Sequence, residues 1–424
     1  MAAQQTQQQS AATLNAIARS AIRARGVRRL QQIFNQSYST PLPSQITVYP
    51  RNVGMVLGFW VKVTGTVLNN SSTNALQLSD FGSLNAVAQF QFNDLQNNTR
   101  IQTPGWHIGF LNSWKKKRIA GSALIGVTGT NTGLSVTGTG PVTLTYQGMD
   151  SPTNYGSNWK VNAATPTIAS GGSTSGTFQQ WYYIPLAYNP DNPQNPDFRG
   201  AMYANVVNAT AQLLISLPGQ FGVSFAVANG TDSTQAMYVG ESSGTFSAPT
   251  VSPYAIEVYQ DYYDQLPTGN QGVLLPLLDL ATIYEMKYTT ISAITAASDF
   301  PYQYANFRDF LSTIAVYVNT ASTGARGTGG DINYWALQAA NFSNIWKVEP
   351  IIPAMFTRDH IGADLPPGVY MFDSRNRPIS TTQYGNMQLV LNPITAGTGA
   401  YELVAVEDFA LVQTLSMAGS LAAS

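Results

Sequence analysis

Few residues in this 424-residue chain are equipped for catalysis: it has two histidines and no cysteine. His107 lies in GWHIGF, where strand alternation would place it on a sheet face, and His360 is far away in the sequence. A hydrogen-bonded structural histidine is the default reading of each. GESSG, residues 240–244, has the form of a nucleophile elbow with Ser242 at its centre. An elbow needs a strand before the serine and a helix after it, and the TFSAPTVSP that follows, with Pro249 and Pro253, argues against a helix. Asp191 and Asp197 stand in NPDNPQNPDFRG among carbonyl-bearing residues that could hold calcium. That stretch lacks the EF-hand spacing and its bidentate glutamate, so it reads as a proline-stiffened surface loop. GARGTGGD has neither the lysine nor the Ser/Thr of a phosphate-binding loop. Glu241, Asp261 and Asp264 cannot be paired into a glycosidase dyad by sequence alone. No catalytic, cofactor-binding or metal-binding residue is assigned, no cofactor is expected, and the chain is read as a non-enzyme.

The more telling chemistry is segregated charge. The first acidic residue is Asp80, and seven basic residues precede it. Five of these crowd one stretch: Arg19, Arg23, Arg25, Arg28 and Arg29. Elsewhere the chain is starved of charge, with 10% Asp, Glu, Lys and Arg and a net charge of −1. Its polar residues are mostly Ser, Thr, Asn, Gln and Gly, which suit surfaces that become interfaces because neutral hydrogen bonds avoid desolvating ions. A basic arm on a weakly charged body suggests a protein that packs against its own copies and reaches an anionic surface with one end. KKKR, residues 115–118, reads as a solvated strand end. The sequons at Asn70, Asn208 and Asn341 follow from an Asn/Ser/Thr-rich composition.

Residues 1–10 are Gln-rich and read as disordered. From Ala11 to Phe34 the pattern is helical. Leu14, Ile17, Ala18, Ala21 and Ile22 recur at helical spacing, Arg19 and Arg23 share another face, and Leu30, Ile33 and Phe34 resume the apolar positions past Gly26. Pro41 and Pro43 end it. Five arginines favour any polyanion. The apolar positions Leu14, Ile17, Ile22, Leu30 and Ile33 favour a lipid interface over phosphates alone. The alternative is that the arm packs under a neighbouring subunit. The body reads as half-buried antiparallel strands, with Phe59, Val61 and Val63, then Phe90 and Phe92, then Val223, Phe225 and Val227 alternating with polar residues. DQLPTGNQG, residues 264–272, is the expected boundary between two strand-rich units. The Gly/Thr-rich stretch from Ile119 to Gly148 reads as one or two projecting hairpins, and PAMFTRDHIG as a short helix. No apolar run approaches the ~20 residues of a membrane span, and the N-terminus lacks the apolar core of a secretory signal.

Nine motifs then fall in a recognisable order: NVGMVLGFWVKVTG, LSDFG, GWHIGFLN, DSPTNYG, YYIPLAY, YYDQLPTGNQGVLLPLLDLATIY, YANFRDFLSTIAVYVN, GTGGDINYWALQAANFS and LPPGVYMFDSRNRPISTTQYGNMQLVLNP. From Asn52 to Pro393 the chain resembles the major capsid proteins of tectiviruses, tailless bacteriophages with an internal membrane. The resemblance implies an all-β fold of two consecutive eight-stranded jelly-roll β-sandwiches with an N-terminal amphipathic helical arm. The units expected are a basic arm at 1–44, a first jelly roll at 45–266 with the hairpin insertion near 119–148, and a second at 267–424. It implies homotrimers of pseudo-hexagonal outline that tile an icosahedral shell around a membrane enclosing the genome, in a virion made in the cytoplasm of a bacterial host. The implied partners are further trimers, penton and minor capsid proteins, and the internal membrane through the arm, without direct genome contact. The alternative is a secreted β-sandwich glycan-binding module, motivated by seven Trp and many Tyr, with a β-sandwich hydrolase behind it.

Overall fold

A computed structural model describes residues 2–79, 81–115, 126–127, 144–145, 163–165, 167–192, 196–205, 210–224, 236–240, 246–266, 277–294, 298–304, 308–320, 325–326, 332–339, 342–361, 368–374, 379–380, 387–394 and 399–411. The N-terminal helix α1 spans Ala2–Arg25. Eight of the strands that follow frame a first unit: β1 Val27–Tyr38, β2 Gln45–Val48, β3 Met55–Asn69, β4 Gln89–Asn93, β5 Thr99–Pro104, β6 Thr174–Pro185, β7 Gln212–Ser216 and β8 Thr250–Gln265. They form two sheets in the orders β1-β8-β3-β6 and β2-β7-β4-β5. The second unit repeats the pattern with β9 Thr282–Ile294, β10 Phe300–Gln303, β11 Arg308–Thr320, β12 Ile332–Ala339, β13 Phe342–Val348, β14 Val369–Asp373, β15 Met387–Pro393 and β16 Gly399–Leu411. Its orders are β9-β16-β11-β14 and β10-β15-β12-β13. In each unit the first strand pairs with the last and the second with the seventh. That is the wrapped ribbon of a jelly roll, and it occurs twice.

Alternation explains the strands. Along β3, Phe59, Val61 and Val63 are buried while Trp60, Lys62 and Thr64 are partly exposed. These inward residues meet Phe90 and Phe92 of β4, Leu213 and Ile215 of β7, and Tyr254, Ile256 and Val258 of β8 in one core. Each such side chain contributes roughly 1.5–3 kcal/mol by leaving water. Phe59 and Phe92 approach to 5.4 Å between ring centres, and Phe90 and Tyr182 to 5.0 Å. The buried phenols are satisfied: Tyr182 donates to the Leu84 carbonyl at 2.9 Å and Tyr254 to that of Ala86 at 2.6 Å. A second core gathers Tyr304, Ile332, Trp335, Leu337, Tyr370, Met387, Leu389 and Leu391.

The units share one sheet. β5 pairs in parallel with β9 through Ile101–Met286 and Gln102–Lys287, and Tyr284 and Met286 of β9 join the first core.

Several expectations are corrected. The arm is not helical to Phe34. Gly26 donates to the Ile22 carbonyl at 2.8 Å and ends α1, and residues 27–38 are β1, a full strand of the first sandwich. A Cβ at Gly26 would lie 2.4 Å from that carbonyl and 2.8 Å from the Tyr263 ring, so only glycine lets the helix turn into the strand here. The first jelly roll therefore begins at 27 rather than 45. Residues 2–10, read as disordered, continue α1. GWHIGF is not a strand either: helix α2 spans Gly105–Lys115. Trp106 and Phe110, one helical turn apart, pack on Phe81 at 5.2 Å each, and period two is broken because His107 and Leu111 are buried as well. PAMFTRDHIG does form a helix, α3, at Ile351–Ile361. Of the 119–148 insertion, Gly126–Val127 pairs with Leu144–Thr145. The remainder lies outside the described residues.

Gly200 sits at the junction of the units with φ +87°, donating to the Thr282 carbonyl at 3.1 Å. A Cβ there would meet the Leu186 carbonyl at 2.3 Å and Tyr284 Cβ at 2.4 Å. Gly200→Ala is expected to cost more than about 1 kcal/mol in urea unfolding, whereas Gly219→Ala, with nothing within 4 Å, stays within about 0.5 kcal/mol of the native chain.

Candidate functional site

The segregated arginines meet the acids that the N-terminal stretch lacks. Arg19 on α1 grips Asp279 with two hydrogen bonds, Nε to Oδ2 and Nη2 to Oδ1, both 2.7 Å. Its Nη2 also reaches Asp197 Oδ1 at 3.3 Å. Asp279, only 2% exposed, lies in the tight turn Leu278–Ala281 that leads into β9. It also accepts from Asn15 Nδ2 at 2.9 Å and the Phe198 amide at 3.0 Å. Burial works against the Arg19 charge, and the Asp279 hydrogen bonds more than offset it, so its pKa is raised. Arg28 on β1 repeats the fork on Asp261, at 2.8 and 2.6 Å, and contacts Asp191. The Asp261 hydrogen bonds dominate in raising its pKa. Tyr183 donates to the same Asp261 carboxylate at 3.4 Å, and burial pushes its phenol pKa well up, so it remains a donor. Arg29 pairs with Asp264 at 2.9 Å in a more exposed setting.

The apolar residues of the arm divide. Ile22 is buried in a cluster with Met55, Leu57, Ala187, Phe198, Ala201 and Tyr263, and Ile33 packs half-buried against the first core. Leu14 (52% exposed), Ile17 (53%) and Leu30 (59%) face outward, as do Arg23 and Arg25. Of the ten residues expected to face a membrane, Arg19, Arg28, Arg29, Ile22 and Ile33 are therefore engaged with the body. The anchoring acids Asp191, Asp197, Asp261 and Asp279 were not legible as arm partners, since they lie 163–264 positions from their partners in the arm.

The other reactive residues hold no constellation. His107 is buried, with Nδ1 2.7 Å from Thr103 Oγ1. Ser242 and the His360 side chain lie outside the described residues. Among the described residues no three of His, Asp or Glu cluster for a metal, and no helix is long and apolar enough to cross a membrane. A cavity of about 510 Å³ opens between α3 and the second sandwich, lined by Tyr304, Trp346, Phe356 and Phe372. Two of the tryptophans behind the glycan-binding alternative, Trp106 and Trp335, are buried core residues rather than a binding platform.

Residues 2–266 match the family described as P3 major capsid protein N-terminal, and residues 281–423 match P3 major capsid protein C-terminal. The chain belongs to the P3 major capsid protein family. It is 36% identical over 420 residues to the major capsid protein P3 of Enterobacteria phage PRD1, covering 99% of this chain and 96% of that one. The kinship with tectivirus major capsid proteins is thereby shown. Two solved structures share the fold. The crystal structure of the STIV major capsid protein superposes with a TM-score of 0.56 at 12% identity, over 91% of this chain and 97% of that one. A chain in the atomic structure of Sulfolobus Turreted Icosahedral Virus gives 0.57 at 13% identity, over 94% and 96%. At such identities they speak for the double jelly roll alone. Membership in P3 carries the role: a structural major capsid protein of a virion that assembles with its own copies, and not an enzyme.

The arm can be tested against its anchors. Arg19→Gln strands the Asp279 charge in a buried site, a loss on the order of 3–5 kcal/mol. Trypsin cleavage at Arg23 and Arg25 is expected to quicken at least tenfold, and the urea unfolding midpoint to fall. Arg29→Gln removes an exposed pair worth under about 1 kcal/mol and leaves cleavage near the native rate.

Proposed function

We propose that this capsid subunit forms homotrimers of pseudo-hexagonal outline that tile an icosahedral shell around an internal membrane enclosing the viral genome. The units are a short arm at 1–26, a first jelly roll at 27–266 and a second at 267–424. The residues that these anchors leave exposed face the membrane: Leu14, Ile17, Arg23 and Arg25 on the arm, and Leu30 on β1. Arg19, Arg28, Arg29, Ile22 and Ile33 hold the arm in place. Further partners are neighbouring trimers and the penton and minor capsid proteins. The genome is not contacted directly, and synthesis takes place in the cytoplasm of a bacterial host.

The observation that carries this reading is a double jelly roll of the P3 family whose basic arm is clamped to the body, so that its outward residues have a fixed direction. Two outward arginines contribute on the order of 1 kcal/mol each at an anionic bilayer, too little for one arm to hold. Three arms per trimer, repeated across a facet, bind through effective concentration.

Sedimentation velocity at micromolar concentration is expected to give a trimer, and a monomer would contradict the reading. The trimer should float with anionic liposomes, and a variant carrying Leu14→Ser, Ile17→Ser, Arg23→Gln and Arg25→Gln should not. Equal flotation of the two, or DNA displacing the liposomes at modest salt, would contradict the membrane role.

A further inference from the structure

The two sandwiches are built alike but are not filled alike. In each unit a helix follows the fifth strand and lies against the sixth: α2 after β5, on β6, and α3 after β13, on β14. Under α2 the space is taken by rings. Phe81 meets Trp106 and Phe110 at 5.2 Å each, those two stand 5.9 Å apart, and Ile108 and Leu111 reach the first core. Under α3, among the described residues, the cavity of about 510 Å³ remains. Protein interiors rarely hold voids larger than a water, because the lining atoms forgo dispersion contacts. This cavity has more than three times the volume of an engineered apolar one of ~150 Å³ that stays dry and takes up benzene. It also lies within the size range of ligand pockets.

The lining narrows what fits. Tyr304, Thr313, Leu337 and Met387 are buried, while Trp346, Phe356 and Asp373 reach solvent at the mouth. Trp346 and Phe372 stack at 5.2 Å and 18° into one flat hydrocarbon wall, and α3 adds Ile352 and Pro353. Tyr304 and Thr313 share a hydrogen bond of 2.9 Å. Hydroxyls both donate and accept, so the pair can meet an alcohol or an ester carbonyl. Burial raises the Tyr304 pKa, which keeps the phenol neutral. Asp373 is the one charged residue of the described lining, and it disfavours an anionic head at the mouth. A peptide would bury amides against walls that offer them few partners. A hydrocarbon chain asks for none.

We propose that this cavity binds one neutral or zwitterionic amphiphile through an unbranched aliphatic chain, held under α3 against Trp346, Phe372 and Leu337. The second unit thereby fills with a ligand the place that the first fills with its own rings. Such a chain is carried both by free alcohols and by bilayer lipids. The site stands independently of the trimer and of the arm.

The full chain is titrated calorimetrically with hexanol, octanol and decanol. One molecule should bind per chain, with affinity rising about fourfold per methylene. Decanoate, ionised at about pH 8, should bind at least ten times more weakly than decanol. Ile352→Trp places an indole in the volume that the chain needs, and should weaken decanol at least tenfold. A terminally brominated decanol should quench tryptophan fluorescence saturably, and Trp346→Phe should remove most of that quenching. Vesicles of phosphatidylcholine with brominated acyl chains identify the source. Quenching by the vesicles that is lost in Trp346→Phe assigns the cavity to a bilayer chain, and quenching by the alcohol alone assigns it to a free amphiphile; both support the site. Quenching that does not saturate, or that is undiminished in Trp346→Phe, overturns it, as does decanoate binding as tightly as decanol. Should Ile352→Trp fail to fold, the unsubstituted chain still decides: equal affinity from hexanol to decanol overturns the site.

Discussion

Each jelly roll closes by pairing its first strand with its last, and most of the molecule follows from that requirement. β8 is a sixteen-residue strand with two backbone edges. One edge is taken by β3 and the other by β1, with partners running from Val27–Gln265 to Tyr38–Tyr254. A buried backbone group left unpaired costs about as much as a lost hydrogen bond, so residues 27–38 must be strand whatever their local preference. The second unit obeys the same rule with β9 and β16, paired from Thr282–Leu411 to Ile294–Gly399. Since β9 also takes β5 on its free side, closing the second sandwich fixes it to the first.

The electrostatics are arranged around that closure. α1 enters β1 through Gly26, so the position of β1 determines where the helix lies. Arg19 and Arg28, on either side of this turn, each fork onto a carboxylate buried in the body, Asp279 and Asp261. Forked pairs of this kind are the strong ones, and breaking either would leave a buried charge without its main partner. Much of the polar composition is Ser, Thr, Asn, Gln and Gly, able to meet further copies without desolvating ions.

The fold was largely legible because strand alternation is local. Phe59, Val61 and Val63, with Phe90 and Phe92, declare an inward face by their spacing alone, and the ordered motifs from Asn52 to Pro393 extend this to a double jelly roll. The arm was misread where local pattern and tertiary demand disagree. Leu30, Ile33 and Phe34 continue a helical spacing, but the edge of β8 claims them as strand. GWHIGF failed the other way: its alternation is real over four residues and is overridden by packing on Phe81. The anchors of the arm were illegible for a simpler reason. Nothing local ties Arg19 to Asp279, because only the return of the chain into β9 brings them together.

P3 membership assigns the chain to a shell, and its architecture assigns the arm to one fixed side of the subunit. A reconstruction of the intact particle at side-chain resolution tests this most directly. The account predicts chains in threes, two sandwiches each, with α1 on the inner surface, Arg19 on Asp279, and Leu14 and Ile17 turned toward the bilayer. Density for α1 on the outer surface of the shell, or detached from Asp279 and directed away from the bilayer, would contradict it.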